Sequence, residues 1–427
     1  MKKNTAANIN NELLNFINKS HSPFHAVRNL ADMLKGFEEL KEEDEWKLEK
    51  GKNYYVIRKD SSMIAFSIPK NGYSSLKMAS AHSDSPSFKI KATPEMKVED
   101  RYLKLNTEVY GSAIMYSWFD RPLSLAGRVV IKSGDDFESR LVDIDKDILL
   151  IPSVAIHMAR DINDGYKFNP KTDTLPLMGM AAQNGNFLKM IAENAGVSEK
   201  DILGYDLYLY PRTEGIVWGA NNEFVSAHAL DDLQCAFALI KGMAESKSRD
   251  TLNIVNVFDN EEVGSLTGQG ADSTFLEDTI GRINTILGYD EEHLKKSISR
   301  GYCISADNAH AVHPNHTEYA DATNRPYLNG GIVIKYNASQ KYTTDAYSEA
   351  MFKDICNQAG VPFQTYANRS DMPGGSTLGN LSMRHISIKT VDIGLPQLAM
   401  HSAYETTGAK DTEYLVNAMK IFFGAGK

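Results

Sequence analysis

Five short segments of the sequence place histidine or acidic side chains where predicted strands should end. The segments are residues 81–84, 230–232, 259–264, 306–310 and 399–402. In an open α/β sheet the functional site forms beyond the carboxyl ends of the strands, so we expect these segments to converge. Nitrogen and carboxylate ligands without thiolates suit zinc, with cobalt or manganese as alternatives. The segments together predict a metal centre.

His82 and Asp84 lie two residues apart, at the end of a β-rich run. On an extended chain, residues at this spacing project to the same side. A carboxylate beside a metal-binding imidazole can fix its tautomer and raise its basicity. The alternative interpretation is a polar turn after a strand, with no metal.

Glu261 and Glu262 follow the apolar run Leu252–Phe258, which predicts a buried strand. Two adjacent glutamates at the end of such a strand are costly unless they are paired or bind a metal. Neighbouring side chains at a turn point in different directions, so one could bind a metal while the other faces the substrate water. The alternative is a solvated acidic loop.

Asp231 and Asp232 open a segment with the apolar periodicity of an amphipathic helix. Acidic residues favour helix N-termini, where they cap backbone amides and meet the positive end of the dipole. We assign that structural role to Asp232 and the metal to Asp231.

Asp307 follows the predicted strand Tyr302–Ala306, and His401 follows the strand and turn Ile386–Pro396. The segments together supply two histidines, two aspartates and one glutamate as ligands, with a second glutamate spare. Five side chains can serve two ions if one carboxylate bridges them. Two ions ~3.5–4 Å apart can share a hydroxide and polarise a carbonyl group.

The elements that must position these residues alternate between strand and helix after residue 224, and helical periodicity opens the chain. This alternation predicts an α/β fold, with a helix-covered mixed or largely parallel sheet. Residues 88–222 instead contain predicted strands that are separated by charged turns. We therefore expect a discontinuous catalytic domain of residues 1–87 and 223–427, with an inserted β-rich domain of residues 88–222.

The composition excludes several classes of protein. A net charge of −9, from 46 basic and 55 acidic residues, argues against a nucleic-acid partner. Three cysteines, none in a C-x-x-C pair, argue against a disulfide framework and favour a reducing compartment. The most apolar run, residues 148–156, is too short to cross a bilayer. We expect a soluble, cytoplasmic protein.

Longer motifs resemble the aspartyl aminopeptidase family of dinuclear zinc metallopeptidases over nearly the whole chain. The matching stretches are residues 22–27, the His82 and Asp84 segment, and residues 151–157, 259–265, 306–315, 369–379 and 396–402. Because the motifs are long and occur in order, the resemblance is specific.

The resemblance implies a role for each candidate residue of the centre. One metal is held by His82 and Asp307, the other by Glu262 and His401, and Asp231 bridges them. Glu261 is the general base, and Asp84 is the partner of the His82 imidazole.

The resemblance also implies residues near the substrate and a quaternary structure. Lys335 and His157 lie near the substrate in relatives, and Lys335 matches the lysine of an acidic-substrate pocket. Relatives assemble through the inserted domain as tetrahedral dodecamers, which we expect to be built from dimers. Gly375 and Ser376 lie in a glycine-rich run without the lysine of a phosphate loop, which favours a backbone cradle for the peptide.

The function expected from these residues is removal of N-terminal residues, preferably Asp or Glu, from peptides. A hydroxide activated by two metals would attack the first peptide carbonyl, with Glu261 as general base. A deacylase, dipeptidase or carboxypeptidase on the same fold is an alternative. A catalytically idle assembly scaffold is another, although the complete ligand set and Glu261 argue against it.

Overall fold

The computed structural model describes residues 5–246, 250–372, 374–375 and 377–424. Contacts divide the chain into two compact units. The first unit consists of residues 1–84, 215–400 and 405–427, and the second of residues 85–214 and 401–404.

The helices are α1 Thr5–Ile17, α2 Pro23–Met33, α3 Phe187–Ala195, α4 Leu230–Ala244, α5 Phe275–Ile286, α6 Glu291–Arg300, α7 Ala346–Ala359, α8 Gly379–Ser382 and α9 Asp411–Gly424. The strands are β1 Glu38–Leu40, β2 Asn53–Arg58, β3 Ser62–Ser67, β4 Leu76–His82, β5 Ser87–Val98, β6 Tyr102–Tyr110, β7 Leu123–Ser133, β8 Asp136–Asp143, β9 Leu177–Met180, β10 Ile202–Pro211, β11 Ile216–Trp218, β12 Phe224–Ala227, β13 Leu252–Phe258, β14 Tyr302–Ala306, β15 Ala309–His310, β16 Ile332–Tyr336, β17 Phe363–Ala367, β18 Lys389–Gly394, β19 Pro396–Leu398 and β20 Glu405–Gly408.

The first unit contains a nine-stranded sheet in the order β1-β2-β3-β13-β4-β14-β18-β16-β17. The strands β13, β4, β14 and β18 run parallel to one another, whereas β3 and β16 join this group antiparallel. All seven residues of β13 are buried, which fits an apolar strand covered on both faces. The expectation of a mixed α/β sheet is confirmed.

Helices cover both faces of this sheet. Successive residues of a strand point to opposite faces, so Val255 and Val257 of β13 join one apolar cluster, with α1, α2, α4 and α9. Ile254 and Phe258 join another cluster, with α5. A smaller five-stranded sheet in the same unit has the order β11-β12-β20-β19-β15.

The second unit is built on a six-stranded antiparallel sheet in the order β8-β7-β10-β5-β6-β9. Its core includes Phe88, Leu125, Leu207 and Leu209, with Phe187 from the helix α3. This unit is β-rich, in agreement with the strands that the sequence predicts in this region.

Within the described residues, the structure contains no helix that is both long enough and apolar enough to cross a membrane.

Candidate metal centre

Three neighbouring parallel strands end at one edge of the large sheet. In β13, Phe258 lies opposite His82, the last residue of β4, and β14 pairs with the other side of β4. Glu261 and Glu262 follow β13, and Asp307 follows β14. The strand order therefore brings together side chains that are up to 225 positions apart, from 82 to 307.

His82 is almost completely buried, with a relative exposure of 1%. Its Nδ1 lies 3.0 Å from the carbonyl oxygen of Asp84 and 3.4 Å from the Asp84 carboxylate. Its Nε2 lies 3.7 Å from Oδ1 of Asp231. With Nδ1 turned towards Asp84, Nε2 is the nitrogen directed at the candidate centre.

Asp84 also fixes the turn that carries the two glutamates. Its Oδ1 accepts a hydrogen bond from the backbone N–H of Glu261 at 3.1 Å, and its Oδ2 accepts one from Glu262 at 3.2 Å. These amides open a short 3₁₀ turn, Glu261–Val263. Asp84 thus touches both the His82 ring and the backbone of the glutamates, which is a broader contact than the sequence predicted.

Asp231 and Asp232 interrupt helical geometry at the start of α4, where both have non-helical φ and ψ angles. The Asp232 carboxylate does not cap the helix but accepts a hydrogen bond from the backbone N–H of His82 at 3.2 Å. The capping role assigned to Asp232 is therefore wrong. A long-range bond to the strand β4 takes the place of a local bond to the helix.

Candidate ligand atoms in the first unit gather in two overlapping groups. Ligand atoms of His82, Asp231 and Asp307 all lie within 4.8 Å of one another, and so do those of His82, Glu261 and Glu262. An imidazole with several carboxylates is a suitable donor set for zinc. The residues present fit a divalent metal.

The charges of the group also favour a cation. Burial raises the pKa of Glu261 to about 8, and the Asp307, Asp84 and Asp231 carboxylates add to this, although His82 opposes it. Burial likewise raises the pKa of Asp307, against the opposing charge of Lys335. Burial and the neighbouring charges raise the pKa of Asp232 well above its ordinary value. A positive charge bound among these groups favours their ionised forms.

Lys335 is a buried residue of β16 with a relative exposure of 2%. Its Nζ donates a hydrogen bond to the carbonyl oxygen of Asn308 at 3.3 Å and lies 3.8 Å from Oδ1 of Asp307. The Tyr342 ring centroid is 5.2 Å from Nζ. Burial lowers the pKa of Lys335, but Asp307, Tyr342, Asp392 and Asp231 raise it to above its ordinary value. Lys335 is therefore a charged neighbour of the centre, rather than a solvated residue at a strand end.

The remaining candidate residues belong to three other segments of the chain. His401 belongs to the short segment 401–404 that groups with the second unit, where its Nδ1 lies 3.1 Å from the carbonyl oxygen of Ser112. His157 lies in an exposed turn of the second unit. Gly375 lines a cavity of about 320 Å³ in the first unit, together with His310, Tyr366 and Gln397. Ser376 lies outside the described residues.

Sequence reasoning missed several residues that contact the centre. Asn308 and Tyr342 touch Lys335, and the Glu405 carboxylate accepts a hydrogen bond from the backbone N–H of Asp231 at 3.0 Å. Asn308 follows Asp307 directly, so its position in the sequence was a usable signal. For Glu405 the sequence offered no such signal, because its burial, with a relative exposure of 1%, is a property of the folded chain.

A mixed α/β sheet with buried histidine and carboxylate side chains at its strand ends is typical of a metal-dependent hydrolase. Residues 16–423 match the family model described as Aminopeptidase I zinc metalloprotease (M18). The chain belongs to this family. This confirms the resemblance seen in the sequence, and the protein is a metal-dependent aminopeptidase.

Two relatives are similar over almost the full length. The "Probable M18 family aminopeptidase 2" of Clostridium novyi is 46% identical over 426 residues, covering 97% of this chain and 98% of the relative. The protein of the same name from Clostridium acetobutylicum is 45% identical over 425 residues, covering 96% and 98%.

Solved structures show the same fold. A chain of the complex of Ape4 and Nbr1 matches with a TM-score of 0.94 and 35% identity, covering 98% of this chain and 86% of that chain. The mApe1 dodecamer of S. cerevisiae matches with a TM-score of 0.86 and 26% identity, covering 99% and 97%.

Proposed function

We propose that this aminopeptidase uses two divalent ions, most suitably zinc, to remove N-terminal acidic residues from peptides. The observation that carries the proposal of two ions is the pair of overlapping groups of candidate ligand atoms. Both groups include His82, and within each group the ligand atoms lie within 4.8 Å of one another. A single ion does not need so many carboxylates, because a catalytic zinc takes three protein ligands and keeps one open position.

In the proposed centre, His82 and Asp307 would hold one ion, Glu262 and His401 would hold the other, and Asp231 would serve both. His401 follows Met400, the last residue of the first unit before the segment 401–404. With its Nδ1 turned towards Ser112, its Nε2 is the nitrogen proposed as the ligand. When bound, the ions lower the pKa of water and polarise the scissile carbonyl group.

Glu261 is the proposed general base. It accepts a proton from the attacking water and delivers it to the amine of the departing peptide. Burial is the main cause that raises the pKa of Glu261 to about 8. Added positive charge would lower this pKa and leave the carboxylate ready to accept a proton at neutral pH. The backbone bonds from Glu261 and Glu262 to Asp84 hold the two side chains in their separate roles.

Lys335 is the proposed determinant of the acidic preference. The candidate centre is rich in carboxylates, so an acidic substrate side chain would be repelled unless a cation met it. Lys335 supplies a buried positive charge 3.8 Å from Asp307. In this proposal it both offsets Asp307 and pairs with the substrate carboxylate, while the loop containing Gly375 and Ser376 cradles the peptide backbone.

We further propose that residues 1–87 and 223–427 form the catalytic domain and that residues 88–222 form the oligomerisation domain of a cytoplasmic homo-oligomer. The structural relative from S. cerevisiae is described as a dodecamer, and we propose a tetrahedral dodecamer of dimers here. Exposed apolar residues flank His157: Val154 is 54% exposed, Ile156 46% and Met158 82%. Such a patch favours an interface.

His157 would then act across a subunit boundary, where its imidazole could donate a hydrogen bond to the developing oxyanion. We expect His157→Ala to lower kcat about 10²–10³-fold, the usual effect of losing one such donor. The assembly state, measured by light scattering, should remain unchanged. A fully active variant, or a fully active monomer, would contradict this role.

The function is tested with peptides that differ only in their N-terminal residue, assayed after reloading metal-stripped protein with zinc, cobalt or manganese. We expect peptides beginning with Asp or Glu to be cleaved fastest. Faster cleavage of Leu- or Lys-peptides would contradict the acidic preference alone. Cleavage of N-blocked peptides would favour a deacylase or carboxypeptidase.

A further inference from the structure

Three buried polar side chains next to the candidate centre form a continuous chain of hydrogen bonds. Asn308 follows the candidate ligand Asp307, Gln397 lies in β19, and Glu405 begins β20. Their relative exposures are 3%, 1% and 1%. Buried polar groups of this kind must be matched donor to acceptor, because an unmatched group loses its hydration without compensation.

The direction of each bond is fixed by backbone groups that can only donate or only accept. The backbone N–H of Leu395 donates to Oδ1 of Asn308 at 3.3 Å. The Nδ2 of Asn308 therefore donates, to the carbonyl oxygen of Leu230 at 3.0 Å and to Oε1 of Gln397 at 2.7 Å. Gln397 must then present its Nε2 to the next residue in the chain.

That next residue is Glu405. Its Oε1 accepts from Nε2 of Gln397 at 3.5 Å, and its Oε2 accepts from the backbone N–H of Asp231 at 3.0 Å. Position 405 therefore faces a donor on each side. A carboxylate accepts on both oxygens. An amide accepts on one oxygen only, and its N–H₂ group would face the other donor.

We propose that Glu405 is a positioning residue that sets the place of Asp231 relative to Asp307. The chain Asn308–Gln397–Glu405 runs from the residue after Asp307 to the backbone of Asp231, so it links the two aspartates independently of any ion. This inference rests on the proposed function, in which Asp231 contacts both ions. Partners behind metal ligands commonly govern affinity by orienting the ligands.

The first test is Glu405→Gln, with zinc affinity measured by competition against a chromogenic chelator and kcat measured at saturating zinc. We expect zinc affinity to fall about 10–100-fold, the usual effect of losing such a partner. Glu413→Gln, the same chemical change on α9, is the matched control and should retain wild-type affinity. Wild-type affinity in Glu405→Gln would overturn the proposal.

The second test exchanges the two side chains in Glu405→Gln/Gln397→Glu. In the exchanged chain, Glu at 397 accepts from Asn308 and from the amide of Gln at 405, whose oxygen accepts from Asp231. Every donor again meets an acceptor, so we expect the double variant to recover most of the lost zinc affinity. Gln397→Glu alone would place two carboxylates together and should bind zinc as poorly as Glu405→Gln. A double variant no better than Glu405→Gln would overturn the proposal.

If Glu405→Gln does not yield folded protein, Gln397→Met tests the same chain more gently, because it leaves the bond between Glu405 and Asp231 intact. We expect a several-fold loss of zinc affinity in this variant, and wild-type affinity would overturn the proposal. These outcomes are distinct from failure of the proposed function, which would appear in the wild-type protein as binding of a single ion.

Discussion

The first unit contains two kinds of buried carboxylate, and their surroundings differ. Asp411, at the start of α9, has a relative exposure of 0%. Its Oδ2 accepts from the backbone N–H of Asn329 at 2.7 Å and its Oδ1 from that of Gly331 at 3.2 Å. Backbone amides thus satisfy both oxygens, and the carboxylate joins the loop before β16 to the start of α9.

The carboxylates of the candidate centre face other ligand atoms. Ligand atoms of Asp231, Asp307 and His82 converge within 4.8 Å. For both Asp411 and Asp307, burial is the main reason for a raised pKa, but for Asp307 other carboxylates add to it. A buried acid with backbone partners is explained by the fold alone, whereas converging acids make a site that favours a bound cation.

The largest effect that would test this comparison is expected for Asp231→Ala. Asp231 is the residue proposed to contact both ions, so its loss should empty both sites and reduce peptidase activity to background. Elemental analysis of purified, zinc-reloaded protein gives the number of ions per chain. Tight binding of only one ion by the wild-type protein, even after reloading, would show that the bridging role is wrong.

Glu261→Gln should separate metal binding from proton transfer. The amide has almost the same shape but cannot accept the proton, and general base catalysis contributes about 10²–10⁴-fold. We expect kcat to fall by that factor while the metal content remains that of the wild type. Glu262→Gln is the matched neighbour and should instead lower metal occupancy. A Glu261→Gln enzyme with a near wild-type rate would mean that another group is the base.

Lys335→Leu should change specificity more than overall activity. A hydrogen bond to a charged group contributes roughly 1.5–3 kcal/mol, which corresponds to about 10–150-fold in kcat/KM. We expect that loss for Asp- and Glu-peptides, with Leu- and Met-peptides spared or improved. Because Lys335 also neighbours Asp307, the assay should use saturating zinc and compare substrates within one variant. An equal loss for acidic and apolar peptides would contradict the specificity role.

The parallel strands of the first unit were the most predictable part of the fold. The apolar runs Leu252–Phe258 and Tyr302–Ala306 became β13 and β14 with the same bounds. Strands that are covered on both faces have continuous apolar sequences, so the residues at which they begin and end are easy to locate. The helix α6, Glu291–Arg300, was not predicted. Ser297 is its one fully buried residue, so this helix has no fully buried apolar stripe of the kind that identifies a helix in a sequence.

The candidate centre was predictable where residues follow strand ends, as His82 and Asp307 do. The role of Asp232 was predicted incorrectly because its partner, the backbone N–H of His82, lies 150 residues away in the sequence. Contacts of this kind, including that of Glu405 with Asp231, depend on which strands are neighbours. Local preferences such as helix capping do not contain that information.

The smallest expected effect, and the sharpest contrast with Asp231, belongs to Asp411→Asn. An amide can accept from one of the two backbone N–H groups but not from both, which should cost about 1–3 kcal/mol of stability. Burial raises the pKa of Asp411 to about 7 in the folded protein, against about 3.9 in an unfolded chain. Between these values the folded state binds the proton more tightly, so the wild-type free energy of unfolding should fall as pH rises. The slope for one such group is at most about 1.4 kcal/mol per pH unit.

Asp411→Asn removes this titration, so the stability of the wild type relative to the variant should fall as the pH rises from 5 to 8. Thermal unfolding at both pH values, with zinc and with chelator, measures the difference. Zinc affinity should equal that of the wild type, because Asp411 satisfies backbone amides and not the candidate centre. If zinc affinity fell together with stability, the distinction between a structural acid and a metal-binding acid would not hold in this protein.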